Sequence, residues 1–365
     1  MNKILSIVCF CLFLFFIFSC EKENVKTIPG GINNEKYNFY IPKNFPTKLY
    51  IPEDNPLTYS GIELGRYLFY DGRLSGRTHP DSLMSCYSCH KQELSFEAGF
   101  HPKGITGIST PNEMLPMINL VWNPNTLLWN GKVKNIEDLV WMGVIAPHEM
   151  NGDTNRTREL IASIPMYAEM FKRAFGTEEI TFKQISYAIA QFVRTLVSSD
   201  SKFDRYMRGE AKLTDSELNG YFLFTTEEGA DCFHCHGGDG NPLFTTNLFY
   251  NNGKDDVFTD TRDRFSVTQN TKDIGAYKAT TLRNISFTGP YMHDGRFKTI
   301  EEVVEFYNSG LKNSPYINPL MHKINDGGAR LNDKQKNDLL AFLRTLNDSV
   351  FITNPAYSNP FKNKK

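Results

Sequence analysis

The chain has 365 residues and a formal net charge of −1, with 22% charged and 40% hydrophobic residues. A chain this close to neutrality lacks the strong positive charge that binds nucleic acid or an acidic membrane surface. We therefore expect no nucleic-acid partner. Its length is sufficient for two domains of ordinary size with substantial apolar cores.

The N-terminus has the pattern of an export signal. Lys3 is followed by an apolar run from Ile4 to Phe18 and then by Ser19 and Cys20. A charged start, a short apolar centre and a small residue before a cysteine resemble a bacterial lipoprotein signal. We predict a signal peptide over residues 1–20, a lipid on Cys20 that anchors the protein to a membrane, and a location on the periplasmic side. An uncleaved anchor helix is the alternative, and it would leave the rest of the chain on the same side.

Residues 21–50 are polar and interrupted by proline and glycine, so we predict a tether there. Beyond it, helix signals outnumber strand signals, and long loops rich in glycine, proline and asparagine lie at 99–130 and 237–295. Apolar residues recur at helical spacing, or follow a capping sequence, in five segments that we predict as helices: Thr58–Tyr70, Thr181–Val197, Thr214–Phe224, Thr299–Tyr307 and Asn332–Leu346.

Two Cys-x-x-Cys-His motifs dominate the chain. In this motif, two thiols bond the porphyrin of a c-type haem and the adjacent histidine binds its iron. The predicted haem-binding residues are Cys86, Cys89, His90, Cys232, Cys235 and His236. Zinc or disulfide alternatives are disfavoured because a histidine directly follows each cysteine pair.

The two motifs predict a mainly α fold with two cytochrome c-like haem domains and long loops. Helices joined by long loops suit a domain in which a planar haem replaces much of the apolar core. We place an N-terminal haem c domain at 51–208, a C-terminal haem c domain at 209–350 and a tail at 351–365.

Segments around both motifs resemble the bacterial di-haem cytochrome c peroxidases, including their MauG-like branch. The resemblance runs from about residue 50 to 348 and rests on these segments: Leu64–Asp71, Trp129–Gly131, Ala190–Leu196, Ser201–Tyr206, Leu282–Asn284, Pro290–Gly295 and Glu301–Tyr307. It implies that the first haem is peroxidatic and that the second receives electrons. Hydrogen peroxide would be the substrate, and a small cytochrome c or cupredoxin would be the electron donor.

The resemblance also implies catalytic residues. Glu149 matches the family's catalytic glutamate, which moves a proton between the two peroxide oxygens. Trp129 matches the tryptophan that lies between the haems, although a purely structural Trp129 stays an alternative. Leu139 stands where relatives have a glutamine, so one distal hydrogen-bond donor is missing. His148 is expected to face solvent rather than to assist Glu149.

In many relatives a loop histidine closes the distal side of the first haem at rest. The matching position here is Thr106, a poor iron ligand, which implies an open first haem. His101 is the nearest substitute ligand and is otherwise a loop histidine. Trp122 and Trp141 are predicted to be packing residues.

The sixth ligand of the second haem is open between several residues. The family spacing implies Tyr307, as in the MauG branch, and Met321 or Met292 are alternatives, as is a Tyr307 that only packs in the core. His293 is expected to form hydrogen bonds near the haem edge, and His234 to be exposed at the haem margin.

The family also implies a calcium ion, held by Asn112 and by carbonyl groups of Thr288 and Pro290, and relatives are often homodimers. Two other functions stay open. One is a MauG-like oxidase that acts on a protein partner, and the other is a non-catalytic electron-transfer cytochrome.

Overall fold

The computed structural model describes residues 35–99 and 101–362. The predicted signal peptide, the predicted lipidation site Cys20 and the start of the predicted tether lie outside these residues. No helix in the described part is both long and apolar enough to cross a membrane.

Helices and long loops make up nearly all of the described chain. The only sheet in that part is an antiparallel pair, β1 (Phe249–Tyr250) and β2 (Tyr277–Lys278), in which Phe249 faces Lys278. The α-helices are, in order: α1 (Tyr59–Tyr70), α2 (Cys86–Cys89), α3 (Ile136–Ile145), α4 (Thr154–Ala162), α5 (Pro165–Phe175), α6 (Phe182–Arg194), α7 (Lys202–Met207), α8 (Asp215–Thr225), α9 (Phe233–His236), α10 (Phe265–Thr268), α11 (Ile300–Ser309), α12 (Asp333–Arg344) and α13 (Ser349–Thr353). The prediction of a mainly α fold is confirmed.

The five helices predicted from the sequence form α1, α6, α8, α11 and α12. Each begins after a polar residue whose side chain accepts a hydrogen bond from a backbone N–H of the first turn; Thr58, Thr181 and Thr299 are examples. Such caps satisfy N–H groups that have no partner within the helix. Local sequence therefore fixes where these helices start.

Two apolar clusters match the two halves of the chain. The first joins α1 and α3–α6, and the second joins α7, α8, α11 and α12. Each contains a close helix crossing at a glycine: a Cβ on Gly65 of α1 would lie 1.9 Å from Ala188 O of α6, and one on Gly220 of α8 would lie 2.0 Å from Asp338 O of α12. The two halves thus share the same kind of helix packing at a glycine. The domain boundaries stay a prediction.

Residues of both flanking segments are buried against the rest of the described chain. Phe45, from the predicted tether, is buried in a third cluster with Trp122. Phe351, from the predicted tail, is buried in the first cluster, and the Arg66 guanidinium donates hydrogen bonds to Pro355 O and Ser358 O. Apolar side chains in each flank explain these contacts, because their burial is favourable.

The two tryptophans that were predicted to pack behave differently. Trp122 is 4% exposed and donates a hydrogen bond to Pro46 O, which confirms its structural role. Trp141 is 48% exposed, so that prediction is wrong. It lies on the solvent-facing side of α3. Its position on the helix, rather than its residue type, therefore decides its exposure.

Candidate active site

The first Cys-x-x-Cys-His motif forms the short helix α2 and leaves one histidine nitrogen for iron. Ser85 and Ser88 form a capping box at its start. His90 Nδ1 donates to Phe96 O at 2.8 Å, which fixes the tautomer and leaves Nε2 as the electron-pair donor. Burial lowers the pKa of His90 to about 4, so the imidazole is neutral, as an iron ligand must be.

The second motif repeats this arrangement at α9. His236 Nδ1 donates to Thr280 O at 3.0 Å, and burial lowers the pKa of His236 to about 4. Cys232 and Cys235 line a large, mostly apolar cavity with His236. All four motif cysteines are free thiols, and burial raises the pKa of Cys86, Cys232 and Cys235 to about 12. Free thiols and a neutral histidine fit a covalently bound haem c at each motif, and at the second motif a cavity adjoins them.

Glu149 faces the first motif from the loop after α3. Its negative charge contributes to the raised pKa values of Cys86 and Cys89, which shows that the carboxylate lies near both thiols. Burial raises the pKa of Glu149 itself. The pKa therefore moves towards neutrality, where a carboxylate can both accept and release a proton.

The surroundings of Glu149 restrict its carboxylate. Gly143 of α3 leaves room for it, since a Cβ there would lie 3.0 Å from Glu149 Oε2. His148 Nε2 is 3.9 Å from Glu149 Oε1, and the His148 side chain is 34% exposed, so it lies beside the carboxylate rather than wholly in solvent. Leu139 packs against the first apolar cluster.

The loop that carries Thr106 is docked on the Glu149 loop. Thr106 Oγ1 donates to Pro147 O at 2.7 Å, and Ile105 N donates to Glu149 O at 2.8 Å. The contact is tight, because a Cβ on Gly104 would lie 2.3 Å from the carbonyl carbon of His148. Thr106 thus holds its own loop against the loop that carries Glu149.

His101 points away from this role. Its Nε2 contacts Thr110 O, and its Nδ1 lies 3.8 Å from Glu113 Oε2. These contacts favour the loop histidine over the resting ligand.

Trp129 lies on the wall of the second haem cavity. Its indole N–H donates to Glu113 O at 2.8 Å, and its carbonyl accepts from Lys278 N at 2.8 Å. Its ring meets the His293 ring edge-on with centroids 6.3 Å apart, and His293 stacks on Tyr277 at 3.5 Å. His293 is therefore held among aromatic rings at the cavity wall.

Tyr307, Met292 and Met321 all line the second haem cavity. Burial raises the pKa of the Tyr307 phenol. The thiols of Cys232 and Cys235 also raise this pKa, so the phenol lies close to the haem attachment point. Asn252 Nδ2 donates to Tyr307 Oη at 2.8 Å and lies 3.9 Å from Met292 Sδ.

Three buried oxygen atoms belong to the predicted calcium ligand Asn112, to its neighbour Glu113 and to Asp294 in the loop after Pro290. Asn112 Oδ1, Glu113 Oε2 and Asp294 Oδ1 are buried without a hydrogen-bond partner in the described part of the chain. A Cβ on Gly295 would lie 2.6 Å from Glu113 Oε2 and 3.3 Å from Pro290 Cγ, which places Glu113 beside that loop. Unpaired buried oxygens are costly. This donor set fits a hard cation such as calcium.

Comparisons with known proteins agree with this geometry. A family profile described as "Di-haem cytochrome c peroxidase" matches residues 59–212. The chain is 32% identical to the methylamine utilization protein MauG of Methylorubrum extorquens over 314 residues, which cover 85% of this chain and 84% of that protein. It belongs to the di-haem cytochrome c peroxidase family.

Further relatives of this family extend the comparison. The cytochrome c551 peroxidase of Nitrosomonas europaea is 34% identical over 272 residues, covering 71% of this chain and 75% of that protein. The crystal structure of a MauG-like protein associated with microbial copper homeostasis has a TM-score of 0.79 at 34% identity and covers 89% of this chain and all of that one. The di-haem peroxidase BthA of Burkholderia thailandensis, at 19% identity and a TM-score of 0.68 over 84% of this chain and 91% of that one, shares the fold.

Membership of the di-haem cytochrome c peroxidase family confirms the predicted resemblance and the class of enzyme. The chain is an oxidoreductase of the cytochrome c peroxidase and MauG type, and haem c is the family's cofactor. The roles of individual residues stay predictions.

Several residues of the site were missed by sequence reasoning. Phe96 and Thr280 act through backbone carbonyls, for which no side-chain signal exists. Asn252 stands in a run of two asparagines and a glycine, which indicates only a turn.

His234 was expected to be exposed, but its side chain is 17% exposed and Nδ1 lies 2.6 Å from Asp231 Oδ1.

Proposed function

We propose that this protein reduces hydrogen peroxide to water on the Glu149 side of the first haem. One peroxide, two protons and two electrons give two waters, and the haem irons, when bound, supply the redox chemistry. The supporting observation is Glu149, a carboxyl group with a raised pKa close to the thiols of Cys86 and Cys89. In this role Glu149 accepts a proton from one peroxide oxygen and delivers it to the oxygen that leaves.

Thr106 keeps the distal side accessible in this proposal. Its hydroxyl is engaged by Pro147 O, and threonine is a poor iron ligand, so the loop has no imidazole to offer at this position. The same contact fixes the backbone on which Glu149 is carried. Substrate access and proton transfer thus depend on one loop contact.

Electrons enter on the side of the second haem and pass by Trp129, in this proposal, from a small cytochrome c or cupredoxin. The position of Trp129 on the cavity wall and the hydrogen bond to Glu113 O support this role, because a fixed aromatic ring suits transient oxidation.

Tyr307 is the proposed sixth ligand of the second haem. Its burial near Cys232 and Cys235 favours it, and Asn252 positions its oxygen. Met321 and Met292 line the same cavity and are the alternatives.

The Tyr307 assignment also supports a second candidate function. A phenolate ligand lowers the potential of a haem relative to methionine, which favours holding oxidising equivalents over accepting electrons from a high-potential donor. Leu139, which offers no hydrogen bond to peroxide, agrees with this. The candidate is a MauG-like oxidase that acts on a protein partner, and the similarity to MauG supports it.

The remaining proposals concern the ion and the location. Asn112, Thr288 and Pro290 are proposed to hold calcium, and the unpaired Asn112 Oδ1 supports this. We also propose export, a lipid on Cys20 and a homodimer, with the lipid proposal resting on the N-terminal sequence pattern.

Peroxide consumption by the oxidised, haem-loaded protein tests the proposed function. Low-temperature EPR should show one high-spin and one low-spin ferric signal, and one equivalent of peroxide should bleach the high-spin signal quickly. A reduced cytochrome should then be oxidised at two electrons per peroxide in steady state. A peroxide response without donor turnover would favour the MauG-like oxidase. Two low-spin signals with no response, even after one-electron reduction, would leave an electron carrier.

A further inference from the structure

Two histidines and two carboxylates meet at the rim of the second haem cavity. Glu227, His234 and His322 each offer a ligand atom, and these atoms all lie within 4.8 Å of one another. Among the residues that the structure describes, no other group of three His, Cys, Asp or Glu side chains meets this test. Asp231 completes the cluster and lines the cavity together with His322.

Asp231 is hydrogen-bonded to His234 and lies beside the His322 imidazole. Its Oδ1 lies 2.6 Å from His234 Nδ1, and its Oδ2 lies 3.5 Å from His322 Nδ1. A carboxylate bound to one ring nitrogen keeps a proton there and leaves the other nitrogen as an electron-pair donor, as is usual around protein-bound metal ions. The Asp231 side chain is only 5% exposed, so this orienting group is held within the fold.

Glu227 and His322 both lie close to His234, and both side chains are accessible to solvent. His234 Nε2 is 3.8 Å from Glu227 Oε1, close to the roughly 3.4 Å between neighbouring ligands of a tetrahedral zinc ion. The His234 and His322 rings meet edge-on with centroids 4.8 Å apart. The side chains of Glu227 and His322 are 63% and 42% exposed, so an ion can reach the cluster from solvent.

We propose that Glu227, His234 and His322 bind one divalent transition-metal ion of the zinc or copper type, with Asp231 as the positioning residue. Imidazole nitrogen with one carboxylate oxygen suits zinc and copper better than calcium or magnesium, which prefer all-oxygen sites. Three protein ligands leave a fourth position open to water. The site adjoins the thiols of the second haem motif but uses none of the haem ligands.

Zinc titration of the full haem-loaded protein tests this site. The protein is first stripped of loose metal with a chelator, and excess calcium is then kept present so that oxygen-only sites are filled. We expect one saturable zinc equivalent per chain in competition with a chromophoric chelator. His322→Gln and Glu227→Gln should each weaken zinc binding by about tenfold or more, and Asp231→Asn by roughly 10- to 100-fold.

His79→Gln is the matched control, because His79 is 73% exposed and contacts Asp81 far from the cluster in the chain; it should leave zinc affinity unchanged. An unaltered haem spectrum shows that each variant is folded. Added copper(II) should give an EPR signal with two imidazole nitrogens that changes in His322→Gln. Absence of a saturable equivalent, or equal affinity in His322→Gln and the parent, would overturn the proposal. The test is independent of peroxide turnover.

Discussion

The two haem sites of this chain are alike on the proximal side and different on the distal side. His90 and His236 have the same lowered pKa, and each donates from Nδ1 to a backbone carbonyl. The carboxyl group of Glu149 lies near the first motif, whereas Tyr307 and Asn252 lie at the second cavity. Since the proximal ligand is the same at both sites, we propose that the distal side chains divide proton chemistry from electron transfer.

The surrounding scaffold supports this interpretation. Each half places a helix pair in close contact at a glycine, Gly65 in one and Gly220 in the other. Similar scaffolds therefore carry similar attachment sites, and the sites differ in the segments that follow, a loop for Glu149 and helix α11 for Tyr307. The Glu149 loop is fixed by Thr106, while the second cavity is closed by residues of α11 and the long loops.

Of the substitutions, Glu149→Gln should have the largest effect on peroxide turnover at the first site. It keeps the size of the side chain but removes the proton acceptor, so peroxide turnover should fall about 10²- to 10⁴-fold. Steady-state oxidation of a reduced cytochrome measures this. Glu53→Gln, at an exposed position, is the control and should turn over normally. Unchanged turnover in Glu149→Gln would remove the proposed distinction between the two distal sides.

Tyr307→Phe should change the second site alone. Loss of a phenolate ligand should alter the low-spin EPR signal and raise the potential of the second haem by about 0.1 V or more, within the roughly 0.8 V range that axial ligands span. Spectroelectrochemical titration measures the change, and Tyr40→Phe, 76% exposed, is the control. If Tyr307→Phe leaves the spectrum intact and Met321→Leu changes it, methionine is the ligand.

The sequence predicted those features that depend on local patterns. The helices after Thr214 and Thr299 begin where their capping sequences predicted, because capping is a contact within four residues. The haem attachment sites depend on one contiguous motif and were found for the same reason. The docking of Thr106 on Pro147 joins residues 41 positions apart and has no local signal.

Failures of sequence reasoning came from tertiary orientation. Trp141 was expected to pack because of its residue type, yet its position on α3 leaves it half exposed. His234 was expected at the surface, yet Asp231 draws it partly into the fold. Residue identity sets what a side chain can do, whereas the packing of distant segments decides whether it is buried.

The pH dependence of peroxide turnover should report the protonation of Glu149 at the first site. Burial raises the pKa of Glu149, so protonation of its carboxylate should begin at a higher pH than the roughly 4.3 of an ordinary glutamate. The proton acceptor is lost as the pH falls through this raised pKa, and turnover should then drop about tenfold per pH unit. Glu149→Gln should lack this acid limb. The same limb in both proteins would assign it to another group.

Thr106→Val should have the smallest effect and tests whether loop docking supports the first site. Valine keeps the shape but removes the hydrogen bond to Pro147 O, which should lower the free energy of unfolding by about 0.5–1.5 kcal/mol. Because the loop carries the backbone contact from Ile105 N to Glu149 O, turnover should fall by less than about tenfold while the second haem keeps its spectrum. Thr106→Ser retains the hydroxyl and should restore both stability and turnover. Equal loss in the serine and valine variants would show that the methyl group, rather than the hydrogen bond, holds the distal loop.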